Sequence, residues 1–186
     1  MEETPCAIVP KEMVAKLFDV PAGQVEVTSD QSSSCGYQWG ENEEMLDVVL
    51  EVEVFDTAEA ASSSFRGITR GISAKEVSNA MQEAVAQADN GAAKQIAGLA
   101  DGKGLQFEDV EGIADEARFG TRFGTLYVRH GNLQLSLSAY HGPSMTMPEK
   151  FTPGAIMDAT AAWKKKTMDK RKQQSTELAK AIVAAL

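Results

Sequence analysis

The sequence predicts an α/β fold of the α+β type, with an antiparallel sheet of five to seven strands flanked by helices and a long C-terminal helix. Three observations predict it. Segment 45–55 alternates apolar and acidic residues, segment 126–140 has the pattern of a β-hairpin, and segment 155–186 keeps helical apolar spacing without proline or glycine. At 186 residues, the chain is expected to form a single domain over 1–186.

The first half of the chain predicts short strands between helices. Alternation over 45–55 places Leu46, Val48 and Leu50 on a buried face and the intervening acidic residues in water. Helices are predicted at 10–18, 57–65 and 73–88, the last two with Thr57 and Ser73 as N-caps and the last with the capping-box pattern SAKE. Further strands are predicted at 25–28 and 37–39, with the polar stretch SDQSSS as a loop between them.

The second half predicts most of the sheet. The glycine-rich segment 89–104 is expected to be a mobile excursion, and 141–153, with three prolines, a loop. A two-residue loop of Gly131 and Asn132 suits a type II′ or I′ hairpin turn. The strands are predicted at 105–110, 116–119 and on both sides of that turn, which pairs Val128 with Leu135 and Leu126 with Leu137.

Charge is distributed unevenly along the chain. The formal net charge is −9, which disfavours general binding to nucleic acid or to an anionic membrane. Residues 162–186 carry seven Lys or Arg and two Asp or Glu, a net of +5, so the remaining residues carry −14. The basic segment 164–172, KKKTMDKRK, is either a solvated face of the C-terminal helix region 154–186 or a site for an acidic or phosphate-rich partner.

The usual catalytic motifs are absent from the sequence, which has no GxxxxGK[ST], GxSxG, HExxH or CxxC. A zinc site built on His130 and His141 would need two more ligands that the sequence does not place, so these are expected to be surface histidines. Cys35 is either a nucleophile, which would need a nearby base, or half of a disulfide with Cys6. We therefore predict no enzyme, no metal and no cofactor.

Other polar and aromatic clusters allow two interpretations each. The acidic run 41–44, ENEE, lacks the alternating ligands of a calcium loop and is expected to be solvated. Asp115 and Glu116 could form a catalytic carboxylate pair, but a turn cap before a strand is preferred. The candidate binding surface consists of aromatic residues and one arginine, which could instead be packing residues: Tyr37, Trp39, Tyr127, Arg129 and Tyr140.

Several motifs in a fixed order resemble a known group of proteins. These are TPCAIVPKEMVAKLFDVP, SSSCGYQW, MLDVVLEVEVF, VEGIADEARF, GTLYVRHGNLQLSLSA and ELAKAIVAAL. In order and type, although not in long identical runs, they resemble small exported bacterial lipoproteins of largely unknown function with a PsbP-like fold. The resemblance implies a PsbP-like antiparallel sheet flanked by helices, and it implies no catalytic residue.

The resemblance also implies specific structural roles. It implies a disulfide between Cys6 and Cys35, and a turn formed by Gly112, Asp115, Glu116 and Ala117. Ala114 departs from the pattern, because a second glycine is common there, and the basic segment 164–172 and the long Ala-rich helix over 73–88 are departures as well. Two cysteines suit a single staple in an oxidising compartment, so a periplasmic or cell-envelope location is expected.

Export is consistent with the N-terminal residues. No run of 18 apolar residues occurs, and MEETPCAIVP lacks the apolar stretch of a signal peptide. The sequence therefore predicts either a cytosolic protein or a mature exported domain whose signal has been removed, and the cysteines favour the second. The resemblance adds a membrane tether through a lipidated Cys that has been removed from this chain.

The expected function is a non-catalytic envelope or periplasmic binding or accessory module that acts through protein–protein contacts. An alternative is an immunity or inhibitor protein that neutralises a basic toxin or enzyme with its acidic body. Another is a small-molecule or lipid carrier that uses the aromatics around Tyr37, Trp39 and Tyr127. A hydrolase would require His130 or His141 beside Cys35 or a serine. The expected partner is thus another protein and not a nucleic acid.

Overall fold

The computed structural model describes residues 4–41, 43–73, 75–76, 104–149 and 151–186. Of the predicted mobile excursion over 89–104, residues 89–103 lie outside the described residues, and so does most of the predicted helix over 73–88. The start of that helix is described, and it forms the predicted capping box. The backbone N–H of Ser73 donates to Glu76 Oε2 at 2.8 Å, and the N–H of Glu76 donates to Ser73 Oγ at 3.2 Å.

Seven antiparallel strands form one sheet in the order β1-β2-β3-β7-β6-β5-β4, which confirms the predicted fold class. The strands are β1 Glu26–Gln31, β2 Ser34–Glu41, β3 Glu44–Val54, β4 Phe107–Asp109, β5 Glu116–Gly120, β6 Thr125–His130 and β7 Leu133–Pro143. Strands β1 to β3 form one meander and β4 to β7 form another, since each strand in them pairs with the next in sequence. The two meanders are hydrogen-bonded to each other along β3 and β7.

Four α-helices accompany the sheet within the described residues. They are α1 Pro5–Ile8, α2 Lys11–Phe18, α3 Ala58–Ile68 and α4 Pro153–Val183, with a 3₁₀ turn at Ala22–Gln24. The predicted N-cap of α3 is confirmed, because Thr57 Oγ1 accepts the N–H of Ala60 at 3.1 Å. The C-terminal region is one helix of 31 residues that begins at a proline, a residue suited to the first turn of a helix.

The predicted hairpin is confirmed in turn and register. Leu126 pairs with Leu137, and Val128 pairs with Leu135. All four side chains are buried on one face of the sheet. Of the two turn residues, only Gly131 has a positive φ, at 59°, which matches the type II′ alternative.

The predicted loop SDQSSS is wrong. Asp30 and Gln31 continue β1, Ser34 begins β2, and only residues 32–33 form the turn. Most of β1 is exposed on both faces at the edge of the sheet, so its polar residues show no alternation that would mark a strand. A hydrogen bond of 2.9 Å between the hydroxyls of Ser29 and Ser34 links the two strands beside the turn.

The two faces of the sheet are covered by different helices. Helices α1 and α2 and the C-terminal half of α4 bury the covered face, where Val14, Leu50 and Leu178 belong to one hydrophobic core. Helix α3 lies on the opposite face, where it packs against β6 and β7 through buried Ala61 and Phe65. The opposite face of β2 and β3 has no helix packed on it among the described elements.

The disulfide between Cys6 and Cys35 is confirmed, with an S–S distance of 2.01 Å. Cys6 lies in α1, and Cys35 lies on the covered face of β2. Two strand positions further on, the Tyr37 hydroxyl donates to the carbonyl oxygen of Val9 at 2.6 Å. The disulfide and this buried hydrogen bond hold the N-terminal helices against the sheet.

Helix α4 completes the hydrogen bonding of a strand edge. Because β6 pairs with β7 only over 133–137, β7 continues beyond it without a strand partner on that side. The Ser175 hydroxyl accepts the N–H of Ala139 at 3.0 Å. The Gln174 amide accepts the N–H of His141 at 2.9 Å and donates to the His141 carbonyl at 3.0 Å. Two helix side chains thus replace a strand.

We predict that Cys6→Ala lowers the free energy of unfolding by about 3 to 4 kcal/mol, because the disulfide closes a loop of 29 residues in the unfolded chain. Urea unfolding of the variant and of the wild type measures the loss. Reduction of the wild type with dithiothreitol should cause a similar loss, and a loss below about 1 kcal/mol in both would contradict the prediction.

We also predict that Gln174→Ala lowers the free energy of unfolding by about 1 to 3 kcal/mol, because it leaves a β7 N–H and carbonyl without their partner. Gln173→Ala is the matched control. Gln173 is exposed and bonds only to Glu177 on its own helix, so we expect a loss of at most about 0.5 kcal/mol. Equal losses in the two variants, measured by urea unfolding, would show that the helix does not substitute for a strand.

Candidate functional site

The opposite face of β2, β3 and β7 offers a continuous surface next to α3. Register places Val49 between Gly36 of β2 and Ser138 of β7, and Val49 is 43% exposed. We call this surface the acidic face, and its side chains are Gln38, Asp47, Val49, Glu51, Glu53, Ser136 and Ser138. The predicted alternation of β3 is therefore confirmed, since Asp47, Glu51 and Glu53 lie on the side away from the core.

The charge of this part of the chain is entirely negative. Residues 17–65, which include β1, β2 and β3, contain eleven Asp or Glu and no Lys or Arg. Charges of one sign on adjacent strands raise the local potential and attract a basic partner. The exposed Val49 within this field offers an apolar contact, so the surface combines charge with a small hydrophobic centre.

A cavity of about 390 Å³ lies at one end of the acidic face, beside the C-terminus of α3. We call it the β3 cavity, and it is lined by Ser33, Glu51, Val52, Glu53, Ile68, Gln134 and Ser136. Gln134 is only 4% exposed, and its Oε1 is buried without a hydrogen-bond partner in the described part of the chain. An unpaired buried amide oxygen costs about 1 to 3 kcal/mol, so this one requires an explanation.

A second depression of about 540 Å³ lies where the end of β2 meets the start of β1 and the start of β3. It is bordered by Trp39 and by polar side chains, including Gln24, Glu26 and Gln38. The Trp39 indole N–H donates to Gln24 Oε1 at 3.0 Å. The ring is thereby held in place at the rim of the depression.

The five residues of the predicted binding surface do not form one surface. Tyr37 and Trp39 lie on the covered face, whereas Tyr127, Arg129 and Tyr140 lie on the opposite one. Tyr37 and Tyr140 are 2% and 0% exposed, so they act as packing residues. Burial raises the pKa of both hydroxyls above the ordinary value. The sheet register decides this division, and the aromatic composition of the sequence could not show it.

The predicted turn around Gly112 has a role in the neighbouring hairpin. Gly112 has φ of 74°, and residues 112–115 bend before β5, which contains Glu116 and Ala117. Asp115 Oδ2 accepts the Gly131 N–H at 2.7 Å, which lowers the pKa of its carboxyl. Arg129 donates to Asp115 at 3.1 Å and to Glu116 at 2.9 Å. The carboxylate pair is thus engaged in supporting a hairpin.

Part of the basic segment 164–172 is structural. Arg171 is 5% exposed, and its guanidinium lies 4.5 Å from the Tyr140 ring centroid and 4.8 Å from that of Trp163. Lys172 Nζ donates to Glu108 Oε2 at 2.6 Å. Lys165 and Lys166 are exposed, as the solvated-face interpretation predicts. Sequence reasoning missed Arg171 because a run of like charges conceals which member is buried.

His141 is half-buried rather than a surface histidine. Its ring makes edge contacts with Phe18 and Trp39, and its Nε2 has no hydrogen-bond partner among the described residues. Burial lowers the pKa of His141 below its usual value, although Glu44, 3.9 Å from Nε2, acts in the opposite direction. No group of three or more His, Cys, Asp or Glu residues in the described ranges could hold a metal ion.

Comparison of the chain with protein-family models, with curated proteins and with solved structures found no match. The resemblance to small exported lipoproteins therefore stays a prediction. Among the described residues, no helix has both the length and the apolar character needed to cross a membrane.

We predict that the free energy of unfolding decreases as the pH falls from 7.5 to about 5, and that His141→Asn weakens this dependence. Burial lowers the pKa of His141 in the folded protein, so the unfolded chain binds the proton first. The stability contribution is complete above the unfolded pKa of about 6.5 and is lost as the pH falls towards the folded value.

Urea unfolding at several pH values measures this effect, with His130→Asn as the control because His130 is exposed in the hairpin strand. The control should keep the wild-type dependence. If His130→Asn removes the dependence instead, His141 is not its source.

Proposed function

We propose that the protein is an exported, non-catalytic binding module that holds a basic partner protein on the acidic face. The proposal rests on the charge of residues 17–65, which include eleven Asp or Glu and no Lys or Arg. This segment contains β1, β2 and β3, three adjacent strands with an uncovered side. Complementary charge of this kind speeds association and selects basic partners.

Export is supported by the disulfide. A disulfide between Cys6 and Cys35 is compatible with an oxidising compartment and persists poorly in a reducing cytosol. The disulfide also anchors β2, one of the strands that carries the acidic face. A binding surface that is exposed outside the cytosol thereby gains a rigid support.

The sharper form of this function is neutralisation of a basic toxin or enzyme, as an immunity or inhibitor protein would perform it. An inhibitor needs a rigid surface, and β2 and β3 form an unbroken ladder in which Ser34 to Glu41 pair with Glu44 to Glu51. The carrier function has less support, because Tyr37 is buried in the core and Tyr127 packs edge-on against Phe107.

We predict that Val49→Arg weakens binding of a basic partner at least about tenfold, because it places bulk and positive charge at the centre of the acidic face. Val54→Arg is the matched control, since Val54 is 68% exposed on the same strand but points to the other side. It should change the affinity by less than about twofold.

The partner is captured from a native envelope extract on the immobilised wild type, identified by mass spectrometry, purified and titrated against each variant. We expect a protein of high isoelectric point whose affinity falls between about 0.05 M and 0.5 M NaCl. Recovery of no basic protein, or equal binding by both arginine variants, would contradict the proposal.

A further inference from the structure

We infer that the β3 cavity is a binding site for a guanidinium group, which an arginine side chain of the basic partner would supply. The inference rests on the proposed function and adds the chemistry of the contact. It starts from Gln134, whose side chain is more than nine-tenths buried and whose amide oxygen has no partner in the described part of the chain. A hydrogen-bond donor in the cavity would provide one.

The lining of the cavity suits a cation with several donors. Glu51 and Glu53 are two positions apart on β3 and therefore point to the same side. Neither makes a hydrogen bond or an ion pair with any described residue, and none of the described residues that line the cavity is basic. Ser33 and Ser136 add hydroxyl groups that can accept hydrogen bonds.

The nearby cations are engaged elsewhere. Arg129, which pairs with Gln134 across the strands, donates to Asp115 and Glu116. Arg66 of α3 lies 3.7 Å from Glu116. The two carboxylates of the cavity therefore remain available for an outside group.

The acceptors that line the cavity favour guanidinium over ammonium. A guanidinium has five donors in a plane and can reach both carboxylates and an amide oxygen together, whereas an ammonium is a compact and more strongly hydrated charge. Ile68, which is 44% exposed at the rim, offers an apolar wall for the arginine stem.

The test is a nuclear magnetic resonance titration of the full chain, labelled with ¹⁵N, with N-acetyl-argininamide and, separately, N-acetyl-lysinamide. We expect a saturable shift of the Gln134 side-chain amide signals with the arginine compound and at least about threefold weaker binding of the lysine compound. In E51Q/E53Q the shift should be lost.

D30N/E41Q removes the same two charges from exposed positions of β1 and β2 outside the cavity and is the matched control. It should keep the shift, and dispersed amide spectra confirm that both variants fold. If the arginine compound leaves Gln134 unshifted, or if both double variants lose the shift equally, the cavity site is overturned.

This experiment separates the inference from the proposed function. One outcome is that the Gln134 signals stay unshifted while a basic partner is captured whose binding is weakened by Val49→Arg. That result overturns the cavity site and still supports binding at the acidic face. A Gln134 shift with no basic partner recovered supports the cavity site and contradicts the proposed function.

Discussion

The architecture depends on the crossing of α4 beside the unpaired end of β7. Strand β6 is shorter than β7, and an exposed stretch of strand edge would leave backbone groups unsatisfied. Gln174 and Ser175 satisfy them, which fixes α4 to the sheet at this point. The helix can therefore contribute Leu178 to the covered face and Arg171 to the opposite face, where the Arg171 guanidinium packs on the Tyr140 ring. One helix thus stabilises both sides of the sheet.

This arrangement leaves β2 and β3 open on the opposite side. Helix α3, which lies on the opposite face, packs over β6 and β7. Among the described elements, no helix packs on that face over β2 and β3. The uncovered half is the half that carries the acidic strands. The proposal of a basic protein partner rests on this separation of covered and uncovered regions, together with the charge of residues 17–65.

Sequence patterns predicted the fold well where one face of an element is buried. The alternation in β3, the register around Gly131 and the cap at Thr57 each follow from local rules, and all three are confirmed. The strand predicted at 25–28 overlaps β1, but the prediction ended it too early, because a strand exposed on both faces carries no periodic signal. For the candidate site, composition suggested aromatics, yet the register divides them between two faces.

The sequence by itself determined the elements, the antiparallel class and the strong acidic bias of the first strands, since these depend on residue periodicity, turn chemistry and charge. Only the tertiary structure decided that Cys6 meets Cys35, which member of the basic segment is buried, and that Glu51, Glu53 and Gln134 border one cavity. Those results depend on contacts between segments that are far apart in the chain. The paired residues of β3 and β7, for example, are 79 to 99 positions apart, and spacing within a segment does not encode such contacts.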